Sequence, residues 1–348
     1  MIFCLLVSPA LAESKQGSKE PAKESTAKKA EAIDEEGSPE LTEEASKAID
    51  SGLDFLLKSQ NKDGSWANKS SFTIACTSLG LMAFMVKGEF PGYGPNADAL
   101  NKAKNFLLKR AKSAADGYLG KSMYEHGLAT LALSELWGMT KDDNDDKEIQ
   151  RALEAAVKVI LRSQNVGGGW RYQPSPDSGQ DTSVTVMVFI ALASARQAGV
   201  MVPNESIKRV ISYLEGAQDM STGGFSYAPT GKGVSNPCTG GGLYVAQLCG
   251  ERDSEMVKAA LRYMMNWNDN MFTHASHFYY MHYYAIQAIV QTGDAEYAEW
   301  YPKIRDGLLG KQAKNGAWSG GAGGGVQSTA MAIIILGTPH RFIPIYQR

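Results

Sequence analysis

Three small groups of residues in this sequence are of types that carry chemistry. Glu125-His126 sets a carboxylate beside an imidazole that titrates near neutral pH, the pairing of a general acid and base. Sequence neighbours on a helix point about 100° apart, so the two read equally well as polar rim residues. Asp181, in Gly179-Gln180-Asp181-Thr182-Ser183, opens an apolar run and reads either as an acid in a cavity or, more plainly, as a helix N-cap. Cys238, in Asn236-Pro237-Cys238, and His282 are a thiolate and an imidazole of the kind zinc takes, with His274 or His277 as a third donor. Two ligands do not make a zinc site, so no metal and no other cofactor is expected. The glycine run from Ser319 to Gly325 is not followed by Lys-Ser/Thr and reads as a mobile rim, not a phosphate loop.

The elements that must position these residues come from a repeat. Leu-Lys-Ser-Gln60, Leu-Arg-Ser-Gln164 and Leu-Gly-Lys-Gln312 each lead through a glycine turn to a tryptophan, Trp66, Trp170 and Trp318. Weaker copies place Tyr118, Phe225 and a residue near Phe272 in the aromatic position, so six copies recur about every fifty residues. In each copy an amphipathic helix precedes the turn, over 41–59, 97–110, 147–163, 204–217, 254–267 and 297–311. A more continuously apolar helix follows it, over 72–87, 123–138, 181–199, 239–250, 278–292 and 327–337. A helix that is apolar nearly all round must be enclosed. Six enclosed helices ringed by six amphipathic ones predict an all-α protein, a closed double-layered α/α toroid. An open solenoid would differ in lacking contact between its first and last repeats.

Parallel inner helices bring their N-termini to one mouth, with free amides and positive dipole ends. Around it fall Tyr124, His126, Tyr172, Tyr227, Cys238, Tyr280 and His282, together with Phe72, Trp170, Asp181, Phe225, Tyr279 and Gln327. An aromatic, mostly apolar hollow of this kind suits a hydrophobic small molecule. Trp66 and Trp318 read instead as plugs between the two helix layers.

The 348 residues, 43% hydrophobic, can bury a large core, and a formal charge of −2 gives no footprint for nucleic acid. Residues 1–12 end in Ala10-Leu11-Ala12, a signal-peptidase pattern, so export to a periplasmic or extracellular location is expected, with no transmembrane span after the leader is removed. Residues 13–40 are Lys, Glu, Ala, Ser and Pro with almost nothing apolar, the composition of a disordered linker. Residues 41–348 form the toroid domain. Cys76, Cys238 and Cys249 are too few and odd in number for a disulfide framework.

The unit Leu-x-x-x-Gln-x-x-x-Gly-x-Trp, carried by Gln60/Gly64/Trp66, Gln164/Gly168/Trp170 and Gln312/Gly316/Trp318, resembles the repeat of squalene and oxidosqualene cyclases and protein prenyltransferase β-subunits. The run Phe278-Tyr279-Tyr280-Met281-His282-Tyr283-Tyr284 and the C-terminal Arg341 to Arg348 look most like the exported bacterial squalene-cyclase C-terminal-like, or prenyltransferase and squalene oxidase repeat, proteins. The resemblance implies the toroid fold over the whole of 41–348 and says less of function. Cyclases of this superfamily carry Asp-x-Asp-Asp-Thr-Ala at an inner-helix start; here the stretch is Ser178-Gly179-Gln180-Asp181-Thr182-Ser183, which keeps the last acid and the threonine but not the acid pair. Prenyltransferases hold zinc by an Asp-x-Cys and a His; here an amide, Asn236, precedes Cys238, and Tyr280 stands where the histidine would be.

These observations lead to an exported squalene-cyclase-like toroid binding a terpenoid, isoprenoid or other apolar small molecule in its central cavity. As an enzyme it would be cyclase/mutase-like or transferase-like, with Asp181, His126 and Glu125 as its candidate catalytic residues. The alternatives are a non-catalytic binding or scaffold domain, and a carbohydrate-active α/α-barrel enzyme using Tyr124, Glu125, His126, Arg171, Tyr172 and Asp181.

Overall fold

The computed structural model describes residues 41–66, 72–229, 231, 233–320, 324–340, 342 and 344–346. The expected leader and linker, residues 1–40, lie outside them, as do 321–323 of the glycine run. Among the described residues, twelve α-helices follow one another in outer–inner pairs. The outer set is α1 (Glu43–Ser59), α3 (Ala97–Ser113), α5 (Asp143–Ser163), α7 (Asn204–Ala217), α9 (Glu255–Met265) and α11 (Asp294–Leu309). The inner set is α2 (Thr73–Met85), α4 (Met123–Leu136), α6 (Thr182–Gln197), α8 (Asn236–Leu248), α10 (Phe278–Thr292) and α12 (Gly324–Leu336). The described residues contain no β-strand, only isolated bridges.

The inner helices neighbour one another in the order α2, α4, α6, α8, α10, α12 and back to α2, and α1 packs on α11 and α12. First and last repeats therefore meet, and the fold is a closed α/α toroid. Nearly every residue of α2, α4 and α12 is buried, as their all-round apolar composition demands. No described helix is long and apolar enough to cross a membrane.

The repeat motif is explained by hydrogen bonds. Each conserved-spacing glutamine donates both amide hydrogens, one to the carbonyl of its own glycine turn and one to a carbonyl near the start of the next outer helix. Gln60 bonds Gly64 and Ala99, Gln164 bonds Gly168 and Ser206, and Gln218 bonds Gly223 and Met256, all at 2.8–3.0 Å. Gln312 bonds Gly316 and, across the seam, Ala48 of α1 at 2.8 Å, which fastens the sixth repeat to the first. The turn glycine is required by space as well as by its positive φ: a Cβ on Gly168 (φ +95°) would lie 1.9 Å from the Arg209 carbonyl oxygen.

The tryptophans are wall plugs. The indoles of Trp66, Trp170 and Trp318 donate back to Leu56, Ile160 and Leu308 at 2.7–2.9 Å, and all three rings are buried. This corrects the mouth positions read for Trp170 and, by its equivalent burial, Phe225. The second copy is also shifted by one residue. Counting from the turn glycine, Leu119 and not Tyr118 occupies the plug position, and Leu119 is buried while Tyr118 is only half-buried.

Candidate functional site

One position on each inner helix ties that helix to the turn or loop before it. The hydroxyls of Thr77, Thr185, Thr239 and Thr329 accept the backbone N–H of Trp66, Trp170, Phe225 and Trp318 at 2.9–3.0 Å. The two copies without the glutamine, the second and fifth, carry His126 and His282 at this position. His126 Nδ1 accepts from the Leu119 N–H at 3.0 Å, so its Nε2–H donates to the Ala156 carbonyl of α5 at 3.1 Å. One imidazole thus replaces the threonine tie and the glutamine bridge to the next outer helix. His282 donates from Nε2 to the Met271 carbonyl at 2.9 Å and packs against Phe272, Phe278 and Trp267.

Both histidines are fully buried, and burial lowers their pKa values to about 4, so they stay neutral. His282 faces the outer layer and does not line the central cavity. That corrects its placement at the mouth beside Cys238, and the same holds for His126, which is turned to α5 and is absent from the cavity wall: each is on the opposite side of its helix from the wall residue two places before it, about half a helical turn round. Among the described residues no group of three or more His, Cys, Asp or Glu side chains could hold a metal ion.

Glu125 is buried too, and its Oε2 accepts the Lys121 N–H at 2.9 Å. It lines a separate cleft of about 290 Å³ between α2, α3 and α4, with Phe106, Arg110 and Lys121. The structure therefore does not bring Glu125, His126 and Asp181 together. Asp181 caps α6: its Oδ1 accepts from the Val184 N–H at 3.0 Å and the Ser183 hydroxyl at 2.7 Å. Its Oδ2 has no hydrogen-bonding partner, with the Arg171 Nε 3.9 Å away.

The central cavity opens at the N-terminal end of the inner helices and measures about 720 Å³, within the range of small-molecule sites. Tyr124, Tyr172, Tyr227, Cys238 and Tyr280 all line it. The residue two places before each Thr/His tie forms its wall: Ala75, Tyr124, Ser183, Pro237, Tyr280 and Gln327, one from each inner helix. That offset is a signal present in the sequence which could have found Ala75, Ser183 and Pro237. Ser122, Ser235 and His277 were also missed, because helix-start and loop positions carry no periodic mark, and so was Met331, one turn deeper than Gln327 on α12.

Tyr172 and Tyr227 stand over the rim with their hydroxyls 3.3 Å apart. Their backbones are held by the preceding repeat: the Tyr172 carbonyl accepts the first N–H of α4 (Met123, 2.8 Å), and the Tyr227 carbonyl that of α6 (Thr182, 2.7 Å). Among the described lining residues there is no carboxylate, lysine or arginine. Burial pushes the Tyr124 phenol up to about 12 and the Cys238 thiol up to about 11, and raises Tyr280 well above its ordinary value, so these walls are uncharged at neutral pH.

Fold and cavity together define an α/α toroid with a tyrosine-rich mouth that has no carboxylate, lysine or arginine among its described lining residues. Solved structures of this architecture are similar over nearly their whole length. The type II terpene cyclase MstE from Scytonema has a TM-score of 0.60 at 17% identity, covering 87% of this chain and 100% of the cyclase. A complex of a variant of that cyclase with its substrate, geranylgeranyl dihydroxybenzoate, has a TM-score of 0.59 at 15% identity, covering 86% and 98%. An inactive variant of the α-1,6-mannanase GH76A of Salegentibacter, in complex with α-1,6-mannotriose, has a TM-score of 0.62 at 9% identity, covering 86% and 99%. No protein-family profile and no curated protein matches the sequence. These likenesses establish the toroid fold.

Proposed function

We propose that this chain is a squalene-cyclase-like toroid that binds an apolar small molecule of isoprenoid type in its central cavity. The observation that carries this reading is the cavity itself: about 720 Å³, walled by tyrosines, phenylalanines, Met331, hydroxyls and His277, with no described carboxylate, lysine or arginine to favour an ionic ligand. A terpene cyclase of the same architecture taking a geranylgeranyl substrate supports it. The mannanase neighbour is weaker support for a carbohydrate ligand, because glycoside hydrolysis ordinarily uses two carboxylates flanking the bond and no described wall residue is one. For Asp181 the reading is a helix cap and not a proton donor. Export is proposed on the Ala10-Leu11-Ala12 pattern alone.

Native mass spectrometry of protein purified from its own compartment, followed by solvent extraction, tests the binding reading. A bound isoprenoid, or uptake of added farnesol or geranylgeraniol at one per chain, is the expected result. Protein that arrives empty and takes up neither sinks it.

A further inference from the structure

The lumen beneath the cavity is layered, and the Thr/His ties set the register. Residues seven places on from the wall ring lie two turns deeper on the same face of each inner helix, about 10 Å down. They are Met82, Leu131, Ile190, Tyr244, Gln287 and Ile334, all buried. Between the two rings sit Tyr284, whose hydroxyl meets Tyr124 (3.4 Å) and the Met187 sulfur (3.3 Å), and Met331, which belongs to the cavity wall. Below Gln287, Ser194 donates to Glu135 at 2.5 Å, Glu135 accepts the Ile345 N–H, and Tyr244 donates to the Ile345 carbonyl at 2.7 Å.

Each of these polar lumen groups is paired except one. Gln287 is 1% exposed, and neither its Nε2 nor its Oε1 has a hydrogen-bonding partner among the described residues. A buried amide with both ends unpaired, in a ring whose other members are Met82, Leu131, Ile190, Tyr244 and Ile334, is a costly arrangement for a core position that an apolar side chain would fill. It lies three residues, about 4.5 Å along the helix, beyond the level of Met331. The side chains between it and the cavity include Met187 and Met331, which are unbranched and adapt their shape readily.

We propose that Gln287 is the deep recognition group of the cavity and that it binds the terminal hydroxyl of a neutral, apolar alcohol entering head first. This rests on the apolar-ligand reading. A hydroxyl is one donor and one acceptor, which matches the two orphaned ends of the amide. An anionic head is disfavoured, because no lysine or arginine is among the lumen positions named and the Glu135 carboxyl lies in the layer below.

The test compares geranylgeraniol with geranylgeranyl methyl ether, in the whole protein and in Gln287→Met, by competitive native mass spectrometry alongside thermal melting without ligand. The wild type should hold the alcohol about ten-fold more tightly than the ether, the effect of one neutral hydrogen-bonded pair. Gln287→Met should bind the two equally and melt no lower than the wild type, since it removes only an unpaired amide. Equal binding of both probes by the wild type overturns this inference and leaves the apolar-ligand reading standing; binding of neither overturns both. A preference retained in Gln287→Met, or a fall in its melting temperature, also overturns the inference, because the amide would then be satisfied within the protein itself. A variant that fails to fold counts with a lowered melting temperature against the inference, and equal binding of the two probes by the wild type overturns it whatever the variant does.

Discussion

The two ends of the inner barrel are made from the same six helices and treat their polar groups in opposite ways. At the mouth, where the helices begin, serine and tyrosine side chains and Cys238 face an open cavity. At the floor, where they end, Glu135, Ser194 and Tyr244 close around Ile345, which is 1% exposed and bonded through both its N–H and its carbonyl. Polar groups that satisfy one another make a seal, and polar groups left facing space make a site. Among the described residues, the asymmetry places the cavity opening at the mouth.

Several substitutions would break or sharpen that contrast. The largest effect is expected at the scaffold of the mouth. Gly168→Ala puts a Cβ 1.9 Å from a backbone oxygen at positive φ, and should cost more than about 4 kcal/mol in a urea titration or prevent folding. Gly199→Ala, at the floor end of α6, has the same sign of φ but nothing within 4 Å, so it should cost only about 1–2 kcal/mol. Comparable losses at both sites would mean that backbone strain, and not the packing of the mouth turns, sets the cost.

The ends should also differ in their response to pH. His126 and His282 have pKa values lowered to about 4 from 6.5, so the stability they support is present above pH 6.5 and lost as pH falls through 4. Glu135 is raised from 4.5 to about 7 by burial, so its contribution is intact below pH 4.5 and lost as pH rises through 7. Each shift corresponds to roughly 3 kcal/mol between its limits. Chemical denaturation should therefore show Glu135→Gln more stable than the wild type at pH 8 and equal to it near pH 4.5, while His126→Gln loses part of the acid sensitivity. A Glu135→Gln protein weakened at pH 8 would show that the floor stabilises the carboxylate.

Smaller changes separate binding from stability. Ala75→Trp fills the mouth and should weaken isoprenoid uptake about ten-fold or more with a modest change in melting temperature. Ser194→Ala at the floor should lower stability by about 1 kcal/mol and leave uptake unchanged. Least of all, Asp181→Asn keeps a capping oxygen and should alter stability by less than about 0.5 kcal/mol. Loss of ligand binding or turnover in that variant would return Asp181 to a chemical role.

The toroid was legible because its signal is periodic. Gln60, Gln164 and Gln312 recur with their turn glycines and tryptophans, and four of the six copies repeat the glutamine bridge and the threonine tie, so one local pattern is reported several times over. Tyr124, Tyr172, Tyr227, Cys238 and Tyr280 could likewise be placed at the mouth, since parallel inner helices bring their starts together. The histidines misled because an imidazole suggests catalysis, although their occurrence in the two copies without glutamine was visible in the chain and is the mark of a structural substitute.

Composition and repetition by themselves determined that this chain folds into two layers of six helices, because burying an all-round apolar helix leaves few other arrangements. Which polar residues are spent on structure and which are left over was decided only in three dimensions. Satisfaction of a hydrogen bond depends on partners far away in the chain: Ala156 for His126, 30 residues on, and Ile345 for Glu135, 210 residues on. That Gln287 lacks a partner could be seen only once the neighbouring bonds of Tyr244, Glu135 and Ser194 had been placed.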